Sequence, residues 1–283
     1  MGNALEVKEV SKKYGIMPKK TVLKNVSFHI EKGECLCILG ANGEGKSTLI
    51  KIVAGLVSKD HGNVHIDGKL GYMPETSINF PSLNAYEAMN YYDLLSGNKK
   101  NYLKYMESFS IVERKKRIKK YSKGMKRKLD LIRALNLEPD LLLLDEPFEG
   151  LDPGVCNDMI SVIAKEKSRG SAVLMSTHDI SYVEKIADRV FLLKNGVLKE
   201  IREWKRETTI LTVQGSIEKI PVLFKDFPCE IIQDGQNVQI KVVGSDHAIS
   251  AIQLLSGSGI TIKTQEVISL ENIFLREVEK RNL

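Results

Sequence analysis

The sequence predicts an α/β protein. A core with a parallel β-sheet, an N-terminal antiparallel β part and a helical subdomain is followed by a small α+β domain. Short, continuous apolar runs are typical of strands covered on both faces, and they occur at Cys35–Leu39, Leu141–Leu144 and Ala172–Met175. Segments of helical periodicity separate these runs. Near residue 205 the pattern changes to shorter β-rich segments, which divides the chain into residues 1–204 and 205–283.

The first domain begins with strands and one helix. Apolar residues alternate in part from Val22 to Ile30, which predicts a strand ahead of Cys35–Leu39. Apolar residues at helical spacing predict a helix over Ser47–Val57, and Asn63–Ile66 is predicted to be a short strand.

From Pro81 to Asp140 the pattern becomes helical. Asn84 is followed three residues later by Glu87, the spacing of a capping box that opens a helix. A helical insert within strand–helix alternation predicts a helical subdomain of about residues 81–139 beside the parallel sheet.

The second domain shows the order β-α-β-β-α-β-α, which is compatible with a small ferredoxin-like fold. The predicted strands are Thr208–Val213, Glu230–Ile232, Val238–Val243 and Ile260–Thr264, and the predicted helices are Ile217–Phe224, Ala248–Leu255 and a last one opened at Ser269.

Positive charge is concentrated in one short segment. The formal net charge is +6, and ten basic residues lie between Arg114 and Lys128, so the rest of the chain carries −4. A protein that coats nucleic acid needs an extended basic surface, and no nucleic-acid partner is therefore predicted. The ten residues are Arg114, Lys115, Lys116, Arg117, Lys119, Lys120, Lys123, Lys126, Arg127 and Lys128.

Membrane-spanning and secreted classes are not favoured. No run reaches the roughly 18 apolar residues that a spanning helix needs, and the N-terminus lacks the apolar core of a signal peptide. The four cysteines show no metal-type spacing, and Cys35 and Cys37 are expected to be small buried residues of one strand face. A cytoplasmic location is predicted, with any membrane role supplied by a partner.

The segment Gly40–Ser47 carries the chemistry of phosphate binding. It matches G-x-x-x-x-G-K-[ST] in full, between an apolar strand and an amphipathic helix, and predicts a P-loop NTPase core. Its glycines let backbone N–H groups surround phosphate oxygens at a helix N-terminus. Lys46 is expected to reach the β- and γ-phosphates, and the Ser47 hydroxyl to ligate Mg²⁺.

Two adjacent carboxylates follow the buried strand Leu141–Leu144. Ligands bind beyond the carboxyl ends of parallel strands, so these carboxylates are expected beside the phosphate loop. Asp145 is predicted to hold Mg²⁺, and Glu146 to act as the general base that polarises the attacking water.

Three further motifs indicate the branch of nucleotide hydrolases. Tyr121–Met125 resembles the LSGGQ signature of ABC ATPases, although Lys123 and Met125 replace a glycine and a glutamine. Gly150-Leu151-Asp152 and Ser176-Thr177-His178-Asp179 resemble the D-loop and the switch histidine of the same family. The resemblance covers residues 4–204 and implies an ATP-binding subunit that hydrolyses ATP.

The resemblance also implies roles for single residues. Tyr14 would stack on adenine, His178 would hold the γ-phosphate, and Glu75, at the Q-loop position, would sense Mg²⁺ and water. Ser122 would cap a helix whose N-terminus, with Gly124, meets ATP held by another subunit. Asp152 would align the two subunits. The implied binding set is completed by Asn42, Gly43, Gly45 and Thr48.

One copy of each motif implies a second ATP-binding subunit, either another copy or a related chain. Transport would require a separate transmembrane permease, whose cytoplasmic segment would enter a groove around Glu75 to Tyr92. The chain would then lie at the inner face of the cell membrane.

The C-terminal part and its Ser269–Phe274 segment look like the tail of bacterial ATPases that export antibiotics, antimicrobial peptides or other amphipathic molecules. The signature and Glu75 look like the same subfamily, so export is favoured over import. Two roles stay open for the tail: stabilising a dimer or regulating it.

Two other classes of function are weighed against transport. A non-transport ABC ATPase would remodel ribosomes or DNA, and an adaptor would bind ATP without hydrolysing it. For the basic segment, three hypotheses stay open: a solvated helical face, attraction of Lys123 and Lys126 to ATP phosphates of the opposite subunit, or contact with anionic lipid headgroups.

Overall fold

The computed structural model describes residues 2–16, 19–97, 101–111, 115–201, 204, 208–214, 219–234 and 237–279. The chain forms two compact units, Met1–Ile201 and Arg202–Leu283. Arg114 of the basic segment and the predicted helix start at Ile217 lie outside the described residues. No helix in the described ranges has the length and apolar composition that crossing a bilayer requires.

The first unit joins two sheets and a set of helices. Its strands are β1 (Asn3–Tyr14), β2 (Lys20–Glu31), β3 (Cys35–Leu39), β4 (His61–Ile66), β5 (Leu70–Met73), β6 (Leu141–Asp145), β7 (Ala172–Thr177), β8 (Arg189–Lys194) and β9 (Val197–Ile201). Its helices are α1 (Lys46–Val53), α2 (Ala85–Ser96), α3 (Tyr102–Ser108), α4 (Lys123–Leu135), α5 (Pro153–Ser168) and α6 (Ile180–Ile186), with a 3₁₀ turn at Ile118–Lys120.

The larger sheet has the strand order β5-β6-β7-β3-β8-β9. Its first five strands are parallel and β9 pairs antiparallel with β8. Every residue of β3, β6 and β7 is buried, which confirms the prediction from their continuous apolar runs. Because these three strands are neighbours, the segments that follow Leu39, Asp145 and Thr177 meet at one edge of the sheet.

The N-terminal antiparallel part is a sheet of order β2-β1-β4. The buried faces of β1 and β2 share one apolar core with β3, β6 and α1, through residues such as Leu5, Leu23, Ile38 and Leu143. This packing fixes the start of α1, and therefore the phosphate loop, between the two sheets.

The helical subdomain consists of α2, α3 and α4. The predicted capping box is confirmed at the start of α2: the Glu87 N–H donates to Asn84 Oδ1 at 3.0 Å, and the Asn84 N–H donates to Glu87 Oε2 at 2.9 Å. The 3₁₀ turn pairs with the chain ahead of α2, because Ile118 N–H donates to Leu83 O at 2.9 Å.

Some predicted boundaries are wrong. Helix α1 ends at Val53 rather than Val57, because Gly55 takes a left-handed φ of 74° and Leu56 turns outward with 63% of its surface exposed. β4 begins at His61 rather than Asn63. β1, β5, β8 and β9 were not predicted from the apolar pattern.

The second unit is a four-stranded sheet with helices and its own apolar core. The strand order is β11-β12-β10-β13, and every neighbouring pair is antiparallel. The helix predicted at Ile217–Phe224 corresponds to a shorter helix in the described residues, α7. The elements are β10 (Thr208–Gln214), α7 (Ile220–Leu223), β11 (Cys229–Asp234), β12 (Asn237–Val243), α8 (Ser245–Gly257), β13 (Thr261–Ile268) and α9 (Leu270–Glu279).

Candidate functional site

A cavity of about 430 Å³ lies where the buried strands of the first unit end. The phosphate loop and the start of α1 form its floor. Most of the predicted binding residues are brought together here. The lining residues are Tyr14, Val22, Asn42, Gly43, Gly45, Lys46, Ser47, Thr48, Glu75, Glu146 and Glu149.

The shape of the phosphate loop depends on glycine. Gly45 precedes α1 with a left-handed φ of 106°, and a Cβ there would lie 2.7 Å from Val22 Cγ1. Gly43 is also left-handed, with a φ of 82°. Because no side chain caps α1, its first N–H groups are available to anionic oxygens.

Lys46 is the first residue of α1 and is 5% exposed. Its Nζ donates to the carbonyl oxygens of Gly40 at 2.7 Å and Ala41 at 3.3 Å. Nζ also lies 3.2 Å from Glu146 Oε1, an ion pair between two buried side chains. These contacts hold the Lys46 ammonium at the phosphate loop. Phosphate oxygens bound there would compete with Glu146 for the ammonium.

Asp145 is the last residue of β6 and is fully buried. Its Oδ1 accepts hydrogen bonds from Ser47 Oγ at 3.0 Å and Ser176 Oγ at 2.7 Å. Its Oδ2 has no hydrogen-bond partner among the described residues. A buried carboxylate with one unpaired oxygen beside a hydroxyl is the kind of hard oxygen donor set that Mg²⁺ prefers. The residues present therefore fit the predicted ion.

Glu146 follows β6 in a left-handed conformation with a φ of 44°, which is uncommon for a residue with a side chain. Its N–H donates to Ser176 O at 3.1 Å and to Ser176 Oγ at 3.2 Å. Its Oε2 lies 3.0 Å from His178 Nδ1. Glu146 therefore joins the phosphate-loop lysine and the predicted switch histidine in one chain of contacts.

Glu75 and Tyr14 both line the cavity. Glu75 follows β5, the edge strand that was not predicted. Tyr14 is the last residue of β1 and is 44% exposed, so one part of its ring is accessible. Stacking of adenine on Tyr14 and sensing of Mg²⁺ by Glu75 stay predictions.

The signature and D-loop residues form a second group, since none of Ser122, Gly124 and Asp152 lines the cavity. Ser122 caps α4 as predicted: its Oγ accepts a hydrogen bond from the Met125 N–H at 3.2 Å. Asp152 caps α5 in the same way, accepting from the Val155 N–H at 3.0 Å. Gly124 is buried, and a Cβ on it would lie 2.9 Å from Val155 Cγ2, so a glycine is needed for α4 to pack against α5.

A side chain of the phosphate loop connects the loop to the turn between β8 and β9. Glu44, inside the phosphate loop, is buried, and its Oε2 accepts a hydrogen bond from the Asn195 N–H at 2.7 Å. Asn195 lies in the turn between β8 and β9 with a left-handed φ of 51°. The carboxylate thus fixes the phosphate loop to the sheet edge. The Nζ atom of Lys123 lies close to Gly150, only 2.5 Å from the position that a Cβ on Gly150 would take.

Sequence reasoning missed three residues of the site. The Ser176 hydroxyl donates to the Asp145 carboxylate and accepts from the Glu146 N–H, and the motif Ser176–Asp179 indicated a role for His178 but none for Ser176. Val22 and Glu149 line the cavity without belonging to a motif. Lys128 of the basic segment forms an ion pair within the first unit, since its Nζ lies 2.6 Å from Asp158 Oδ2.

Comparisons with known proteins agree with the fold. A family model described as "ABC transporter" matches residues 23–149. A linearmycin resistance ATP-binding protein of Bacillus subtilis is 34% identical over 210 residues, which is 68% of this chain and 67% of that protein. A lantibiotic transport ATP-binding protein of Streptococcus pyogenes is 34% identical over 203 residues, 68% of this chain and 87% of that protein.

Similarity also extends beyond residue 204. An uncharacterized ABC transporter ATP-binding protein of Bacillus subtilis is 30% identical over 284 residues, 90% of this chain and 94% of that protein. Among solved structures, an ATP-binding subunit of an ABC transporter has a TM-score of 0.62 and 28% identity, covering 78% of this chain and 93% of that one. A dimeric bacterial ABC transporter cassette, at 24% identity and a TM-score of 0.64, covers 71% of this chain and 100% of that one and supports the fold.

Proposed function

This chain belongs to the ABC transporter family as an ATP-binding subunit, an ATPase, and we propose that it powers export of a drug, peptide or amphipathic molecule through a separate permease. The contact chain Lys46–Glu146–His178 at the phosphate loop carries the hydrolytic part of the proposal. Relatives named for linearmycin resistance and lantibiotic transport support the export part.

The geometry gives each side chain a task in hydrolysis. Lys46 and the first N–H groups of α1 bind the phosphate oxygens of ATP. Glu146 accepts a proton from the water that attacks the γ-phosphorus, while His178 orients the Glu146 carboxylate and holds the γ-phosphate. When phosphate oxygens bind Lys46, the ion pair between Lys46 and Glu146 is lost. The Glu146 carboxylate is then available to act as a base.

Mg²⁺ would be held by Ser47 and Asp145, whose Oγ and Oδ1 are 3.0 Å apart, with Glu75 at the cavity wall. When bound, the ion would neutralise charge on the β- and γ-phosphates. Ser176 keeps the Asp145 carboxylate in place through its hydroxyl.

A second copy of the chain would complete the site. Ser122, Gly124 and Asp152 lie outside the cavity, at or near the starts of α4 and α5. The helix N-terminus at Ser122 is suited to an anion, and in a head-to-tail homodimer it would meet the ATP held by the other copy. ABC cassettes are seen as dimers in the solved structure noted above.

The surface for the permease is proposed to be an aromatic patch formed by Ile78, Phe80, Tyr91 and Tyr92. Ile78, Phe80 and Tyr91 are exposed. The Phe80 ring centroid lies 5.1 Å from that of Tyr91 and 5.6 Å from that of Tyr92, so the rings form one continuous apolar surface. The patch begins three residues after Glu75, which lines the nucleotide cavity.

The chain would therefore lie at the cytoplasmic face of a cell membrane, bound through this patch. The second unit is proposed to be a ferredoxin-like accessory domain, since its sheet order and antiparallel pairing support that classification. It would stabilise or regulate the dimer.

Co-purification with a polytopic membrane protein tests the proposal. The tagged full chain should bring that protein out of detergent-solubilised membranes. Phe80→Ser combined with Tyr91→Ser should abolish the capture, because the apolar contact surface is lost. Val222→Ser, which removes an exposed apolar side chain of the second unit, is the matched control.

Two results would contradict the proposal. One is that no membrane protein accompanies the tagged chain. The other is that the patch variant captures the membrane protein as well as the control does. Capture of ribosomal particles in place of a membrane protein would favour a non-transport remodelling role.

A further inference from the structure

Arg127 lies on α4, five residues after the capping Ser122, and is 3% exposed. Its guanidinium donates to main-chain carbonyls of two separate segments. Nη1 donates to Pro74 O at 2.6 Å and to Glu75 O at 3.0 Å. Nη2 donates to Glu146 O at 3.1 Å and to Asp145 O at 3.4 Å. One buried side chain therefore joins the signature helix, the Glu75 segment and the carboxylate segment.

Within the described part of the chain, the hydrogen bonds of Arg127 go to these carbonyls. The nearest carboxylate oxygen, Asp130 Oδ2, is 3.8 Å from Nη1, too far for a hydrogen bond. A buried cation that loses its acceptors is strongly destabilised. If the Glu75 segment or the carboxylate segment moved alone, the guanidinium would lose half of its acceptors. The three segments are therefore expected to move together.

The same contact helps to hold Glu146 in its left-handed conformation. That conformation is strained for a residue with a side chain and persists only where surrounding structure enforces it. Ser176 fixes the Glu146 N–H and Arg127 fixes the Glu146 carbonyl, so both sides of the residue are anchored. Its side chain then points to Lys46 and His178.

We propose that Arg127 is a positioning residue for ATP hydrolysis, which sets the Glu146 carboxylate and couples it to the Glu75 segment. Arg127 touches neither nucleotide nor water in this role. It acts through the backbone of Glu146, so the proposal rests on the proposed role of Glu146 as the base.

The test compares Arg127→Lys and Arg127→Met in the full-length chain. Lysine keeps the charge, but a single ammonium lacks the fork that spans both segments. Both variants should lower kcat by about 10- to 100-fold, because small misplacements of a reacting group have effects of this size. KM for ATP and binding of a fluorescent ATP analogue should change little. Arg127→Lys keeps the test open if Arg127→Met does not fold.

Lys128→Met is the matched control, because it removes the neighbouring cation of the same helix and its contact with Asp158. If Arg127 only stabilised α4, the Arg127 variants and Lys128→Met would all have lower thermal midpoints. The kcat of the folded protein would then be unchanged. An Arg127→Lys variant with kcat within twofold of wild type, beside an inactive Glu146→Gln variant, overturns the Arg127 proposal alone. Normal turnover by Glu146→Gln overturns the base role, and this proposal with it.

Discussion

At the scale of single residues, Glu146 has two side-chain contacts, and a bound nucleotide would affect them differently. The ion pair of Oε1 with Lys46 spans 3.2 Å and competes with phosphate for the same ammonium. The contact of Oε2 with His178 Nδ1, at 3.0 Å, does not involve any residue of the phosphate loop. In the proposed mechanism, binding of ATP would release Oε1 from Lys46 while Oε2 stays beside His178.

Glu146→Gln should retain ATP binding and lose turnover by about 100-fold or more, because an amide cannot accept the proton that a carboxylate accepts. The variant should also accumulate an ATP-bound dimer. Phosphate release measures the first effect, and size-exclusion chromatography with and without MgATP measures the second.

Glu149→Gln controls for the loss of a charge at the same cavity wall and should reduce turnover far less. Wild-type turnover in Glu146→Gln would contradict the assignment of the general base.

The residues of the phosphate loop were predictable because their pattern is contiguous in the sequence. Lys46 and Ser47 stand next to each other, and the surrounding glycines are spaced by the turn they form. Ser176 and Arg127 were not predictable as site residues. Their partners Asp145 and Glu75 are 31 and 52 residues away, and the contacts exist only once β6 and β7 pair and α4 packs against β5.

At the scale of elements, α2 has a complete capping box and α3 has none. Asn84→Ala should lower the free energy of unfolding by about 1 kcal/mol, because the Glu87 N–H loses the side-chain oxygen that accepts its hydrogen bond. Asn101→Ala is the matched control, since Asn101 stands at the same position of α3 without a side-chain cap. Urea unfolding of the two variants gives the comparison, and equal midpoints would contradict the capping argument.

The predicted elements succeeded where one physical cause dominates. Burial on both faces leaves a continuous apolar run, so β3, β6 and β7 were visible in the sequence. The edge strands β5 and β9 have mixed burial, and their sequences resemble those of loops. The end of α1 was misplaced because Gly55 turns the chain before Leu56, although Leu56 fits the helical pattern.

At the scale of the whole molecule, each of the two units has an apolar core of its own. A chain of residues 1–204 should therefore stay folded and unfold cooperatively, because the core around Leu5, Ile38 and Leu143 is retained. Circular dichroism during heating measures this, and aggregation of the truncated chain would contradict it.

The same truncation separates the two roles proposed for the second unit. Loss of the ATP-dependent dimer would assign it to dimer stability. A retained dimer with a changed rate of hydrolysis would assign it to regulation.

The hydrogen bond from the Asn195 N–H to Glu44 Oε2 has a practical consequence. Asn195 lies in the β8–β9 turn, outside the proposed catalytic contacts, yet its amide N–H donates to a side chain of the loop that is proposed to bind phosphate. Exchange of that proton with solvent requires the loop carboxylate to move away. The amide therefore serves as a built-in spectroscopic probe of how ordered the loop is, without any label or substitution at the nucleotide itself.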